Sequence, residues 1–250
     1  MNQLPQDKIE GRNPVLEALK SERQIDKIFV QRDIFDTSVQ KIRKAAKEKK
    51  ILVKEVDRAK LDFMSETKAH QGVIACVAMH EYVEVEDILK AAQDKGEPPF
   101  VVICDGISDP HNLGAIIRTA NCAGAHGVII KKHHSVGLSA VVSKASAGAI
   151  EYVPVAKVTN ITNTLRDLKE AGLWIVGADM MGDTVYYQSD LKGSIGLVVG
   201  NEGDGISDLV KKNCDFLVNI PMKGQINSLN VSVAAAIMMY EIAKQRGESK

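Results

Sequence analysis

A chain of 250 residues, 45% hydrophobic and 26% charged, holds enough apolar side chain for one large core or two small ones and is not the composition of a disordered segment. Its 32 basic and 32 acidic side chains cancel, so there is no whole-chain polybasic signal for nucleic acid, and nothing that argues against one. The balance is uneven: residues 1–68 hold 16 Lys and Arg against 12 Asp and Glu, so the two parts sit at +4 and −4.

Cys76, Cys104, Cys122 and Cys214 are far apart, with no C-x-x-C pair, so neither a disulfide framework nor a zinc site is indicated. Cys122 and Cys214 are expected to pack as small hydrophobes. The first residues, Met1 to Lys8, lack the apolar stretch of a secretory leader, and no run reaches transmembrane length. These features predict a soluble cytoplasmic protein.

In chain order, Gly11 and Asn13-Pro14 read as a cap followed by proline at the first helical position, opening a short helix to Lys20. Ile25–Val30 reads as a strand and Ser38–Lys50 as a helix with Val39, Ile42 and Ala46 at helical spacing. Ile51–Val56, Arg58–Met64 and Gly72–Ala78 read as strand, short helix and strand. Residues 1–80 thus form a small α/β domain. Within it, Lys41 to Lys50 carries six basic residues and one acidic one. That run reads either as a solvated helix face or as a phosphate-contacting surface, and without interleaved aromatics it suits the backbone of structured RNA better than stacking on single strands.

Residues 81–98 read as a connector with a short amphipathic helix broken by Lys95-Gly-Glu-Pro-Pro. From residue 99 onward, β-branched runs alternate with helical segments: strands are predicted at Phe100–Cys104, Val128–Lys131, Tyr152–Ala156, Leu173–Gly177, Ile195–Val199 and Phe216–Ile220. Continuous rather than alternating apolar runs mean strands buried on both faces, hence an α/β domain with a mostly parallel sheet and helices on both faces.

Three strand-to-helix turns of this second domain carry the candidate chemistry, since such turns are where open α/β sheets place ligands. The first runs from Asp105 through Asn112 to Arg118, in a helix whose buried stripe is Leu113, Ile116, Ile117, Ala120 and Gly124. Arg118 lies on its flank beside the space left by Gly114, as an anchor for a phosphate or carboxylate or as a surface ion pair, while Asn112 can also be a plain N-cap. The second turn is Gly200-Asn-Glu-Gly-Asp-Gly205. Its spacing is not the dinucleotide order and it has no P-loop lysine; Glu202 is either a hydrogen-bond acceptor in a site or a cap for a helix over Ile206–Lys212. The third is Ile220 to Ser232, running into an apolar helix over Leu229–Gln245 whose first turn carries Ser228, Asn230 and Ser232. His133-His134 has no third ligand at metal-binding distance, His70, His80 and His126 carry no partner signal, and His111 sits in the first turn, close to where a substrate would lie.

Together the series Asp105-x₆-Asn112-x-Gly-Ala-Ile-x-Arg118-Thr-Ala, then Val198-Val-Gly-Asn-Glu-Gly-Asp-Gly-Ile206, then Ile220-Pro-Met-x-Gly-x₃-Ser228-Leu-Asn230-Val-Ser-Val-Ala resembles the three motifs of the SpoU (TrmH) class of RNA 2′-O-ribose methyltransferases. The resemblance covers residues 99–250 closely, and residues 1–80 are similar to the N-terminal substrate-binding domain of that family. By architecture the chain is most similar to members that methylate a guanosine of large-subunit (23S) rRNA; the motifs do not encode which RNA is used, so a tRNA target, or a binding-only assembly factor, stays open. The resemblance implies a deep trefoil knot with S-adenosyl-L-methionine bent into it, no metal, and a homodimer. It places cofactor contacts on the main chain of Gly200, Ile220 and Leu229. It implies that Arg118 binds the phosphate next to the target ribose, with Asn112, Glu202, Ser228 and Asn230 positioning the hydroxyl. Small residues around Gly200, Gly203 and Gly224 would let chain segments pass close to one another.

Overall fold

The computed structural model describes residues 8–20, 25–65, 67–77 and 81–247, and the chain divides into two compact units whose main boundary falls between Glu81 and Tyr82. Met1 to Asp7, Ala78 at the end of a predicted strand, and His80 lie outside the described residues.

The first unit contains β1 (Lys8–Glu10), α1 (Arg12–Lys20), β2 (Ile25–Gln31), α2 (Thr37–Glu48), β3 (Leu52–Val56), α3 (Arg58–Met64) and β4 (Val73–Val77). The sheet order is β1-β4-β2-β3, with β2 and β3 parallel and β4 antiparallel to both of its neighbours. Side chains alternate across β2, so Ile28 and Val30 join Val39, Ile42 and Ala46 of α2 in one core while Phe29 faces Leu61 of α3 in another. Full burial of Val39 and Ile42 contributes roughly 1.5–3 kcal/mol each. That fixes the face of α2 that packs, and leaves Lys41, Lys44 and Lys47 exposed. Asp36 caps α2, its carboxylate accepting from the amides of Ser38 at 2.8 Å and Val39 at 3.3 Å. Helix α1 starts at Arg12, so Pro14 is its third residue rather than its first; the amide there has no intrahelical partner either, so proline costs no bond.

The second unit contains α4 (Val85–Asp94), β5 (Phe100–Cys104), α5 (Pro110–Cys122), β6 (Gly127–Lys131), α6 (Ala140–Ala145), β7 (Val155–Val158), α7 (Ile161–Glu170), β8 (Trp174–Ala178), β9 (Thr184–Val185), β10 (Ile195–Val199), α8 (Asp208–Lys211), β11 (Phe216–Asn219) and α9 (Val231–Gly247). Its seven strands run in the order β7-β6-β5-β10-β8-β11-β9, every pairing parallel. All residues of β5 and β10 are buried, as continuous apolar runs require when helices cover both faces. On one face Ile88 of α4, Leu165 and Leu168 of α7 and Val210 of α8 pack with Val101, Ile103, Ile129 and Ile175. Helices α5 and α9 pack against each other, α5 also against β6 and α9 against β8 and β10. The stretch 81–98 is thus more than a link, since α4 supplies Ile88 and Ala92 to this unit's interior.

Several boundaries differ from the sequence expectation for identifiable reasons. A 3₁₀ turn over Ala149–Glu151 delays β7 to Val155 and leaves Tyr152 exposed. Gly124 is not part of the buried stripe of α5: the helix ends at Cys122, and Gly124 follows as a left-handed residue at φ 75°. Cys122 is exposed rather than packed. The space beside Gly114 is not open to Arg118 but filled by α6, for a Cβ there would lie 2.4 Å from Ala145 Cβ. Helix α8 is the single turn Asp208–Lys211, preceded by Ser207.

Candidate active site

Strand order decides which loops meet. β5 and β10 are neighbours, while the strand that follows β5 in sequence, β6, lies on its other side; at such a reversal the connections leave a crevice outside the carboxyl ends of the strands. The loop after β5 (105–109) and the loop after β10 (200–207) flank it.

Asp105 ties the two together. Its carboxylate is almost fully buried; Oδ2 accepts from the Ser207 amide at 2.9 Å and hydroxyl at 2.7 Å, and Oδ1 from Lys131 Nζ at 3.0 Å. Burial pushes its pKa up, but the Ser207 hydroxyl and amide and the Lys131 ammonium outweigh that, holding Asp105 below its ordinary value. The loop after β10 closes on itself: Asn201 N–H donates to Gly205 O at 3.0 Å, and Asn201 Oδ1 accepts from the amides of Gly203 and Asp204 at 2.8 and 2.7 Å. A Cβ on Gly200 would lie 1.9 Å from the carbonyl carbon of Gly205, so only glycine permits this closure.

Asn112 stands at the junction of all three turns. Asp109 caps α5, accepting from His111 N–H at 2.8 Å, so Asn112 is not the cap but the third residue of the helix, with its side chain buried. Asn112 Nδ2 donates to Glu202 Oε1 at 2.5 Å, and Asn230 Nδ2 donates to Asn112 Oδ1 at 3.0 Å. Asn230 Oδ1 in turn accepts from the Ser232 amide at 2.9 Å and hydroxyl at 2.6 Å. Asn230 also ends the third loop: its carbonyl accepts from the amides of Val233 and Ala234, and α9 begins at Val231, later than expected. Ser228 and Asn230 therefore belong to the loop, not to the first turn of the helix. Glu202 does not cap α8, whose N-cap is Ser207.

The structure thus brings together Asn112, Glu202 and Asn230, and does not bond Arg118 or Ser228 to them. Arg118 lies six residues, about 240° around the helix, from Asn112; it is exposed, and its side chain makes no hydrogen bond or ion pair with another described residue. Ser228 is likewise without such a bond, and every residue from 221 to 230 is exposed. The main chains of Gly200, Ile220 and Leu229, which differ in exposure from buried at Gly200 to exposed at Leu229, form no hydrogen bond with another described residue. Met222, Ile226 and Leu229 are exposed apolar side chains of the third loop. No group of three or more His, Cys, Asp or Glu side chains able to hold a metal occurs among the described residues. Burial pushes the Cys104 thiol up to about 12, which makes it unfit as a nucleophile. Sequence reasoning missed Lys131 and Ser207 altogether; the only available signal was Ser-Asp at a helix start.

Comparison with known proteins identifies the family of the chain. The SpoU rRNA Methylase family profile matches residues 99–240, and the profile for RNA 2′-O ribose methyltransferase substrate binding matches residues 8–83. A putative TrmH family tRNA/rRNA methyltransferase, YacO, of Bacillus subtilis is 46% identical over 240 residues, covering 96% of each chain. A putative TrmH family tRNA/rRNA methyltransferase of Staphylococcus saprophyticus is 45% identical over 238 residues, covering 95% of each. Among solved structures, an AdoMet-bound rRNA methyltransferase from Sinorhizobium meliloti superposes with a TM-score of 0.60 at 26% identity, covering 95% of this chain and 86% of that one. The SpoU methyltransferase AviRb from Streptomyces viridochromogenes, in complex with AdoMet, shares the fold at a TM-score of 0.61 and 24% identity, covering 96% and 90%. With the methylase profile matching more than half of its length and relatives aligned nearly end to end, the chain belongs to the SpoU rRNA methylase family.

Proposed function

We propose that this protein transfers a methyl group from S-adenosyl-L-methionine to a ribose 2′-hydroxyl of RNA, and that its target is a guanosine of large-subunit (23S) rRNA. The observation that carries the reading is the junction at Asn112, where three loops from distant parts of the chain meet in one crevice. The residues fit the cofactor: free main-chain groups at Gly200, Ile220 and Leu229 match the polar edges of an adenine and an amino acid, and the exposed apolar side chains beside them match its ring and thioether. When bound, the cofactor supplies an electrophilic methyl group and needs no metal.

This chain's own residues do the rest. Arg118, exposed and unpaired among the described residues, grips the phosphate beside the target ribose; a guanidinium is suited to that and cannot act as a base. Asn112, Glu202, Ser228 and Asn230 set the position of the hydroxyl, which must be held in line with the methyl. In the first unit, Lys41, Lys44 and Lys47 on the exposed face of α2 meet the RNA backbone.

A homodimer is part of the proposal. Val233, Ile237 and Tyr240 form an apolar stripe on the side of α9 away from the core, with Val233 47% and Tyr240 55% exposed. The knotted path that the motifs imply is part of the proposal as well. No helix among the described residues is long and apolar enough to cross a membrane, and a cytoplasmic site of action follows from the substrate.

Mapping 2′-O-methyl groups on total RNA from cells with and without this protein tests the reading. Loss of one guanosine mark in 23S rRNA is expected; loss of a tRNA mark instead replaces the substrate, and no loss anywhere overturns methyl transfer.

A further inference from the structure

We infer that Glu202 is the group that accepts the hydrogen bond, and then the proton, of the hydroxyl that is methylated; this rests on the 2′-O-methyl transfer proposed above. The argument is the direction of a hydrogen-bond chain. The Ser232 backbone amide can only donate, so the atom of Asn230 facing it at 2.9 Å must be the amide oxygen. The NH₂ of Asn230 therefore faces Asn112, 3.0 Å away, and must meet its oxygen. The NH₂ of Asn112 is then left to donate to Glu202 Oε1 at 2.5 Å. Every link points the same way, and the chain ends on a carboxylate. It orients Glu202 from behind with one oxygen and leaves the other, on an exposed residue, with no bond to another described residue.

The chemistry of the crevice needs such an acceptor. A neutral ribose hydroxyl attacks only as it loses its proton. Arg118 is a donor alone, Asn112 and Asn230 are used up within the chain, and Asp105 is filled by Ser207 and Lys131. The step balances with Glu202 in this role: the oxygen–methyl bond forms as the carbon–sulfur bond breaks, sulfur keeps the electron pair as a neutral thioether, and the hydroxyl proton passes to Glu202 and on to solvent.

Two variants separate proton acceptance from loop positioning. In Glu202→Gln the carboxamide oxygen still accepts from Asn112, so melting temperature and cofactor affinity by calorimetry are expected to stay close to the parent's, the affinity within about threefold, while turnover on rRNA falls roughly 100-fold. In the double variant Asn112→Asp with Glu202→Gln, carboxylate and amide exchange places: the 112–202 bond survives with its direction reversed, and no carboxylate oxygen of residue 202 faces the crevice. Melting temperature and cofactor affinity are expected to stay at the parent's level, with turnover still depressed. Asp204→Asn, on the same loop, is expected to leave turnover unchanged. Full turnover in either protein that carries Glu202→Gln overturns the assignment, since the pair would then serve only to join loops. An unaltered protein that binds cofactor but methylates no RNA would instead overturn the proposed reaction, whatever residue 202 does.

Discussion

Asp105 and Ser207, 102 residues apart, are joined by two hydrogen bonds to one carboxylate oxygen, 2.9 Å from the amide and 2.7 Å from the hydroxyl. Because Lys131 holds the other oxygen, this buried carboxylate is the point at which the loop after β5 and the end of the loop after β10 are fixed to each other. Asp105→Asn keeps the shape but loses the charge and turns an acceptor into a donor. It is expected to cost about 2–3 kcal/mol at pH 7 by urea denaturation. The depressed pKa of Asp105 sets the sign of the pH dependence. Its contribution is complete above the unfolded carboxylate value, about 3.9, and is lost as pH falls through the lower folded value. The gap between parent and variant should therefore narrow only in strong acid, and a gap constant down to about pH 2 would contradict the assignment.

Gly200 and Gly203 lie three residues apart in one loop and should respond in opposite ways. A Cβ at Gly200 meets main-chain atoms at 1.9 and 2.2 Å, which cannot yield without reopening the Asn201–Gly205 closure. At Gly203 it meets only Asn201 Oδ1 at 3.5 Å. Gly200→Ala is expected to lose about 3 kcal/mol of stability and measurable cofactor binding, whereas Gly203→Ala stays within about 0.5 kcal/mol of the parent. Thermal melting and calorimetry on the two variants compare them directly.

The exposed Arg118 side chain makes no hydrogen bond or ion pair with another described residue, so Arg118→Ala should melt within about 0.5 kcal/mol of the parent. It should bind cofactor within a few fold and yet abolish methyl transfer. Undiminished turnover removes Arg118 from the site.

The outer face of α9 is expected to lie between two copies. Charging it by Val233→Glu with Tyr240→Glu leaves the inner residues Ala235, Met238, Met239 and Ile242 untouched, so each chain should still fold. Sedimentation velocity should then find a monomer in place of a dimer; a parent protein that already sediments as a monomer would end the proposal.

The four cysteines should differ sharply in reactivity. Cys122 is exposed, whereas burial pushes Cys104 up to about 12, and burial with neighbouring Asp215, Asp105 and Asp179 does the same to Cys214. Brief treatment with an alkylating reagent should label the exposed Cys122 first. Mass spectrometry should find Cys104 unmodified until the protein is unfolded.

Much of the fold was legible in the chain because burial leaves a local signature. The runs Phe100–Cys104 and Ile195–Val199 are apolar at nearly every position, and both are strands buried on both faces, with the boundaries expected. Val39, Ile42 and Ala46 fall at helical spacing and are the buried face of α2. Elements too short to show a period were missed: β1 and the two-residue β9. β7 was placed early because Tyr152 looks like a strand residue when read alone, and only the 3₁₀ turn before it shows otherwise.

For the candidate site, residue types and order along the chain marked out three turns that contain Asn112, Glu202 and Asn230, and the family resemblance supplied the roles expected of them. That they form one directional chain of hydrogen bonds, that Asp105 is locked by Ser207 and Lys131, and that no bond joins Arg118 to them were decided only by the tertiary structure. The reason is physical: periodicity records which side of an element is dry, a property of each segment by itself, whereas a bond between side chains 90 or 118 residues apart exists only because β5 and β10 lie side by side and α5 packs on α9.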